Sequence, residues 1–155
     1  MKRLWAPWRK AYMDKTMKKQ ECIFCAKHED NNDRKNHIIQ RGELCFVIMN
    51  IYPYNNGHLM VAPYSHTGDL DDLTQDELTE MMELVKVSTQ KLKSAVCPHG
   101  FNIGINLGEA AGAGFPGHIH IHIVPRWQGD TNFMPVTAGT KVIPQSLDDL
   151  YEKLI

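Results

Sequence analysis

The stretch Gly117-His-Ile-His-Ile-His-Ile-Val124 constrains this chain more than any other. Its residues alternate and isoleucine is β-branched, so the segment predicts one β-strand. Period two sends His118, His120 and His122 to one face and Ile119, Ile121 and Ile123 to the other. The isoleucine face suits core packing. Imidazoles titrate near neutral pH, bind metals and carry protons. A plain solvent face would use Lys, Glu or Thr, so the histidine face predicts chemistry.

With 155 residues, the chain is long enough for one domain with a real core. Lysines and arginines number 17 against 18 aspartates and glutamates. That near-zero balance argues against a broad nucleic-acid surface, though a local basic pocket is compatible with it. No apolar run has the length of a membrane span, and the charged N-terminus lacks the apolar stretch of a signal peptide. The expectation is a cytoplasmic protein with no nucleic-acid or membrane partner. Cys22 and Cys25 form a Cys-x-x-Cys pair, whereas Cys45 and Cys97 are solitary. A disulfide scaffold does not fit this pattern.

Residues 1–20 predict a basic arm with Trp5, Pro7, Trp8 and Tyr12, including a short helix over 8–17. Residues 21–155 predict one domain. The polar run 27–40 reads as a loop. Segments 44–50 and 58–63 read as antiparallel strands joined through the Asn56-Gly57 turn. Thr74-Gln-Asp-Glu77 predicts a capping box. The helix it opens puts Leu78, Met81, Met82, Val85 and Leu92 on an apolar side, with Glu80, Glu83, Lys86 and Lys91 toward water. Pro98 and Gly100 mark its end. Residues 101–107 predict a strand, 108–117 a glycine-rich loop, and 147–154 a short helix, preceded by an apolar segment near 141–143. This order predicts an α+β fold.

The glycine loop opens onto the histidines. Backbone N–H groups of such loops converge on anions, which makes Gly112, Gly114 and Gly117 candidate phosphate binders. No Gly-Lys-Ser/Thr follows, so the loop is not a P-loop. His120 has a histidine on each side and is the natural nucleophile toward phosphorus, given a partner that fixes its tautomer. The outer histidines are placed to donate to phosphate oxygens. Cys22 and Cys25 fit half of a structural zinc site, to be completed from His28, His37, His58, His66, His99 and His118. A redox-active pair and an incidental pair are the alternative readings.

The run His118-Ile-His120-Ile-His122-Ile-Val124 resembles the histidine-triad (HIT) signature, His-φ-His-φ-His-φ-φ with φ apolar. The resemblance extends to Cys22-Ile-Phe-Cys25, Phe46-Val-Ile-Met-Asn50, Gly57-His58-Leu-Met-Val-Ala-Pro63 and Asn106-Leu-Gly108. Arg3-Leu-Trp-Ala-Pro7 and the stretch from Val124 to Met134 look like the bacterial branch related to diadenosine polyphosphate hydrolases and phosphorylases. The resemblance implies a HIT-like fold, with an antiparallel sheet of about five strands and one main helix, and a homodimer. It implies a purine nucleotide or dinucleoside polyphosphate as substrate, attacked at the α-phosphate. His120 matches the transiently adenylylated nucleophile, and His118 and His122 its phosphate-flanking partners. Asn50 matches a ribose contact, Asn106 a phosphate-site asparagine, and His58 a support for the nucleophile. Zinc-bearing relatives imply a zinc set of Cys22, Cys25, His66 and His118. With zinc bound, phosphate contact falls on His122, Asn106 and backbone N–H groups. Many relatives carry Ala-Gly-Gln-Ser/Thr before the triad. Here the loop is Ala111-Gly-Ala-Gly-Phe-Pro-Gly117, with neither Gln nor Ser. That departure favours a branch with a different acceptor, such as inorganic phosphate. Alternatives are a nucleoside phosphoramidase and a zinc-stabilised nucleotide-binding module with little turnover.

Overall fold

The computed structural model describes residues 22–131 and 142–155. The predicted arm over 1–20 and the segment 132–141 lie outside the described residues. The elements in order are α1 (Ile23–Glu29), α2 (Asp33–Asn36), β1 (Ile38–Arg41), β2 (Cys45–Met49), β3 (Leu59–Pro63), α3 (Gln75–Val96), β4 (Gly100–Ile105), β5 (Ile121–Arg126) and α4 (Leu147–Leu154). The strands form one antiparallel sheet in the order β1-β2-β3-β5-β4. The histidine-bearing β5 is therefore central, between β3 and the edge strand β4.

Both sheet faces are covered, which accounts for the continuous apolar runs of β2 and β3. On one face Val47, Met49, Leu59, Val61, Ile121 and Ile123 pack under α3 and α4, against Met81, Val85, Leu92, Leu150 and Leu154. On the other face Ile38, Phe46, Ile48, Met60 and Ala62 meet Phe24 from α1. At β5 this second face carries histidine instead of an apolar residue. No helix among the described residues is long and apolar enough to cross a membrane.

The capping box at α3 forms as expected. Glu77 N donates to Thr74 Oγ1 at 3.2 Å, and Thr74 N donates to Glu77 Oε2 at 2.8 Å. Ser65 Oγ adds a third bond to that carboxylate at 2.6 Å. Led by the Ser65 bond, these partners hold the Glu77 carboxyl below the usual range.

Four expectations need correction. The run 27–40 is not a loop but holds the last turn of α1, all of α2 and most of β1. Asn32 caps α2 by accepting from Lys35 N, and His37 turns the chain at φ 57° into two buried isoleucines. Met82 is 58% exposed, and Leu84 takes its place in the core. The true stripe is Met81, Leu84, Val85, Ser88 and Leu92, at i, i+3 and i+4 spacing. Glu80 does not simply face water. Its carboxylate accepts Glu43 N at 2.7 Å and Leu44 N at 2.6 Å, clamping the β1–β2 hairpin to α3. A Cβ at Gly42 would overlap Glu80 Oε1, so a side chain there would push the carboxylate off the two N–H groups it accepts. Finally, ladder pairing of the histidine strand begins only at Ile121 and runs on to Arg126. The preceding turn of chain bonds elsewhere, with Ile119 N donating to Thr67 O at 2.6 Å.

Candidate active site and metal centre

His118, His120 and His122 still share a face, because Ile119 remains in the core at 3% exposure and keeps the alternation in phase. All three histidines are buried. The rings of His120 and His122 are 4.7 Å apart, and Phe24 lies against those of His118 and His120 at 5.0 and 4.7 Å. Each of the three histidines has a partner that determines which ring nitrogen carries its proton.

His120 Nδ1 lies 2.8 Å from the carbonyl oxygen of His118. A carbonyl only accepts, so Nδ1 carries the proton and Nε2 keeps its lone pair. Burial lowers the pKa of this ring. It is neutral at physiological pH, with a lone pair available for attack.

His118 Nε2 lies 2.9 Å from the carbonyl oxygen of Pro63. By the same argument Nε2 carries the proton and Nδ1 the lone pair. That lone pair faces Cys22 Sγ at 3.2 Å and Cys25 Sγ at 3.7 Å. His66 Nδ1 is 3.3 Å from Cys25 Sγ. The four donor atoms lie within 4.8 Å of one another, a two-sulfur, two-nitrogen set of the kind that suits tetrahedral zinc. Burial, and then the neighbouring Cys22, push the Cys25 thiol up to about 11. A bound dication would reverse that balance and expel the proton. Both ring nitrogens of His118 are thus engaged, one with Pro63 O and the other toward the cysteines.

His122 ends a chain of directed bonds. Tyr52 N donates to Asn50 Oδ1 at 2.8 Å, which turns the Asn50 Nδ2 toward His58 Nδ1 at 3.3 Å. Tyr54 N donates to the same nitrogen at 3.1 Å. His58 Nδ1 is thus an acceptor, and its Nε2–H donates to His122 Nδ1 at 2.9 Å. His122 must then carry its proton on Nε2. The amide of Asn106 lies 3.4 Å from that nitrogen, and the tautomer calls for the amide oxygen on this side. The expected support from His58 therefore runs to His122, not to the nucleophile. Burial, followed by the neighbouring His122 and His120, pushes His58 down to about 3. Burial followed by His120 lowers His122 to about 4, and burial foremost lowers His118 to about 4.

The remaining candidates separate. His28 stands beside the Phe46 and Tyr64 rings, His37 pairs with Asp148, and His99 accepts from Gln128 N. The glycine loop begins with a 3-10 turn, Glu109–Ala111, closed by Gly112 N donating to Glu109 O. Gly114 is half-buried in that loop. Gly117 sits beneath the His66 ring, which ties the loop to the cysteine–histidine cluster. Sequence reasoning missed Phe24, Tyr54 and the main-chain groups of His118, Pro63 and Tyr54. Main-chain groups carry no residue-type signal, whereas the Tyr54 position beside the Gly-His element was available as one.

A family model described as the HIT domain matches residues 31–129. The chain belongs to the HIT family. It is 40% identical over 156 residues to the AP-4-A phosphorylase of Mycobacterium tuberculosis, covering 96% of this chain and 80% of that protein. It is 34% identical over 93 residues to the asymmetrical bis(5′-nucleosyl)-tetraphosphatase of Schizosaccharomyces pombe, over 60% of this chain and 50% of that protein. A zinc-bound histidine triad family protein from Mycobacterium smegmatis superposes with a TM-score of 0.68 at 27% identity, covering 86% of this chain and 90% of that chain.

Proposed function

We propose that this chain is a nucleotide hydrolase or phosphorylase. It acts on the α-phosphate of adenine nucleotides such as diadenosine polyphosphates, through a nucleotidyl-His120 intermediate. The observation that carries this reading is the 2.8 Å bond from His120 Nδ1 to the His118 carbonyl, which leaves Nε2 as a lone pair on a buried neutral ring. The names of the relatives in Mycobacterium tuberculosis and Schizosaccharomyces pombe support the substrate class.

His120 Nε2 forms a bond to the α-phosphorus while the bridging P–O bond breaks and its electron pair leaves with the departing nucleotide. Water or inorganic phosphate then forms a P–O bond as the P–N bond breaks. The lone pair returns to Nε2 and the acceptor releases its proton to solvent. The Nε2–H of His122 exchanges its long 3.4 Å contact with Asn106 for the phosphate oxygens, where negative charge gathers. Asn106 and the backbone of Gly112, Gly114 and Gly117 complete the phosphate environment. Asn50 orients His58 through its amide.

Cys22, Cys25, His66 and His118 would hold a zinc ion with a structural role, since protein atoms supply all four donors. The exposed Ile103 and Ile105 on the edge strand β4 support a homodimer.

Incubation with diadenosine tetraphosphate, with and without inorganic phosphate, tests the reading. ADP plus ATP formed only with phosphate identifies phosphorolysis; AMP plus ATP identifies asymmetric hydrolysis. His120→Ala should lower the rate at least about a thousandfold. Turnover that survives this substitution would sink the proposal.

A further inference from the structure

The run Arg126-Trp-Gln-Gly-Asp130 leaves the end of the histidine strand, and no step of the proposed reaction uses it. Gly129, at φ 77°, turns the chain back, and Asp130 N donates to Trp127 O at 3.1 Å. The Asp130 side chain is only 7% exposed, and a buried carboxylate requires directed donors. Arg126 supplies two of them, Nε to Oδ2 at 2.6 Å and Nη2 to Oδ1 at 2.9 Å. Trp127 N donates to Oδ2 at 3.2 Å, and Asn55 Nδ2 donates to it at 2.8 Å. The remaining guanidinium nitrogen, Nη1, donates to Asn102 Oδ1 on β4 at 2.6 Å.

Asn55 is where this cluster meets the histidine row. The β3–β5 pairing reaches no further than Ile123. Beyond it the Pro125 carbonyl accepts from Asn55 Nδ2 at 3.1 Å, the same amide that holds Asp130. Asn55 O accepts His58 N at 3.3 Å. The turn 54–58 is thus pinned to β5 by a buried amide. Tyr54 N, next to Asn55, sits in that turn and bonds His58 Nδ1, which leaves the His58 Nε2–H facing His122. A bond inside a turn directs a ring only while the turn itself is held.

Resting on the donor role of His122 in the reading above, we infer that Asn55, Asp130 and Arg126 are positioning residues for the reaction. They hold the 54–58 turn against β5, so that His58 keeps its bond to His122 and His122 keeps its Nε2–H for the phosphate. The arginine and the aspartate touch none of the three histidines and act only through Asn55. His120 lies outside this chain, because its tautomer is set by the His118 carbonyl.

That difference supplies the test. Hydrogen exchange with water is measured by NMR at pH 7.5 for three protons: Tyr54 N–H, His58 Nε2–H and His120 Nδ1–H. In Asn55→Ala the first two should exchange at least about tenfold faster, while the His120 proton keeps its native rate. Equal acceleration of all three would mean general loosening and would overturn the inference, as would no change in any. Should Asn55→Ala fail to fold, Arg126→Gln, at the exposed end of the chain of bonds, is read on the same protons with the same expected pattern. On diadenosine tetraphosphate, kcat should fall about tenfold with KM near native, since the His122 donor serves charge that develops in the transition state. Selective exchange with an unchanged kcat, in a protein that His120→Ala inactivates, would overturn the role in the reaction. If His120→Ala leaves turnover intact, adenylyl transfer fails, and the exchange pattern still decides whether the cluster holds His58.

Discussion

Burying neutral histidines makes stability depend on pH, and the size of the effect follows from the His58–His122 pair. The folded pKa of His58 is pushed down to about 3 and that of His122 to about 4, from an ordinary 6.5. Above pH 6.5 neither state binds a proton at these positions and the full stability is present. Below 6.5 the unfolded chain takes up protons that the native protein refuses, so stability falls as pH falls. The window extends from 6.5 down to the folded values. Each group loses about 1.4 kcal/mol per pH unit inside it. Between pH 7.5 and 5.5 only the lower unit counts, so the pair contributes a loss of about 3 kcal/mol. Other histidines and the carboxylates titrate as well, but their share cancels when variants are compared. Urea unfolding at pH 7.5 and 5.5, at one fixed zinc concentration, should show this loss shrinking by about 1.4 kcal/mol in His58→Gln and by about 3 in His58→Gln/His122→Gln. His58→Gln should also cost about 1–3 kcal/mol at pH 7.5, because it strands His122 Nδ1 and the Tyr54 N–H. If all three proteins lose stability in parallel between the two pH values, the pair does not fold in its neutral form and the assignment of its tautomers fails with it.

Further outcomes follow from other contacts. Cys22→Ala should lower bound zinc to well under one equivalent, measured by elemental analysis after dialysis against native protein; unchanged content would remove Cys22 from the metal set. Gly42→Ala drives a methyl group into the Glu80 carboxylate that holds Glu43 N and Leu44 N. It should destabilise the fold by about 1–3 kcal/mol in urea unfolding, and a neutral result would mean that the clamp is dispensable. If β4 carries the proposed dimer contact, Ile103→Lys, which places a charge on this edge strand, should sediment as a monomer where the native protein sediments as a dimer.

Elements with strong periodicity were readable. The strands β2 and β3 follow from apolar runs on either side of a turn pair, β4 from alternation, and the helix α3 from its capping box and apolar spacing. Residues 27–40 misled for a physical reason. Their polar composition describes side chains that face water, while Ile38 and Ile39, at 1% and 8% exposure, carry the packing and sit at the end of the run. Met82 misled because two adjacent methionines fit the apolar arc equally by spacing, and only packing selects Met81. The strand start at Ile121 was beyond reach because alternation records side-chain direction, not ladder pairing. Direction persists from His118 onward, while the main-chain partner changes from the 66–68 strap to β3.

The division of labour among three equal imidazoles is set by main-chain groups. Pro63 O takes the His118 proton on one nitrogen and so aims the other at the cysteines. His118 O does the same for His120 with the opposite nitrogen, which leaves Nε2 for attack. Tyr54 N, acting through His58, puts the His122 proton on Nε2. One residue joins two of these arrangements, since the ring of His118 faces the cysteine–histidine cluster while its carbonyl holds the ring of His120. A shift of His118 must therefore move the group that keeps the lone pair of His120 in place. Burial alone would leave three neutral rings of unspecified tautomer. The directional partners around them give one row of histidines three different lone-pair and proton arrangements, on which the proposed roles of ligand, nucleophile and donor rest.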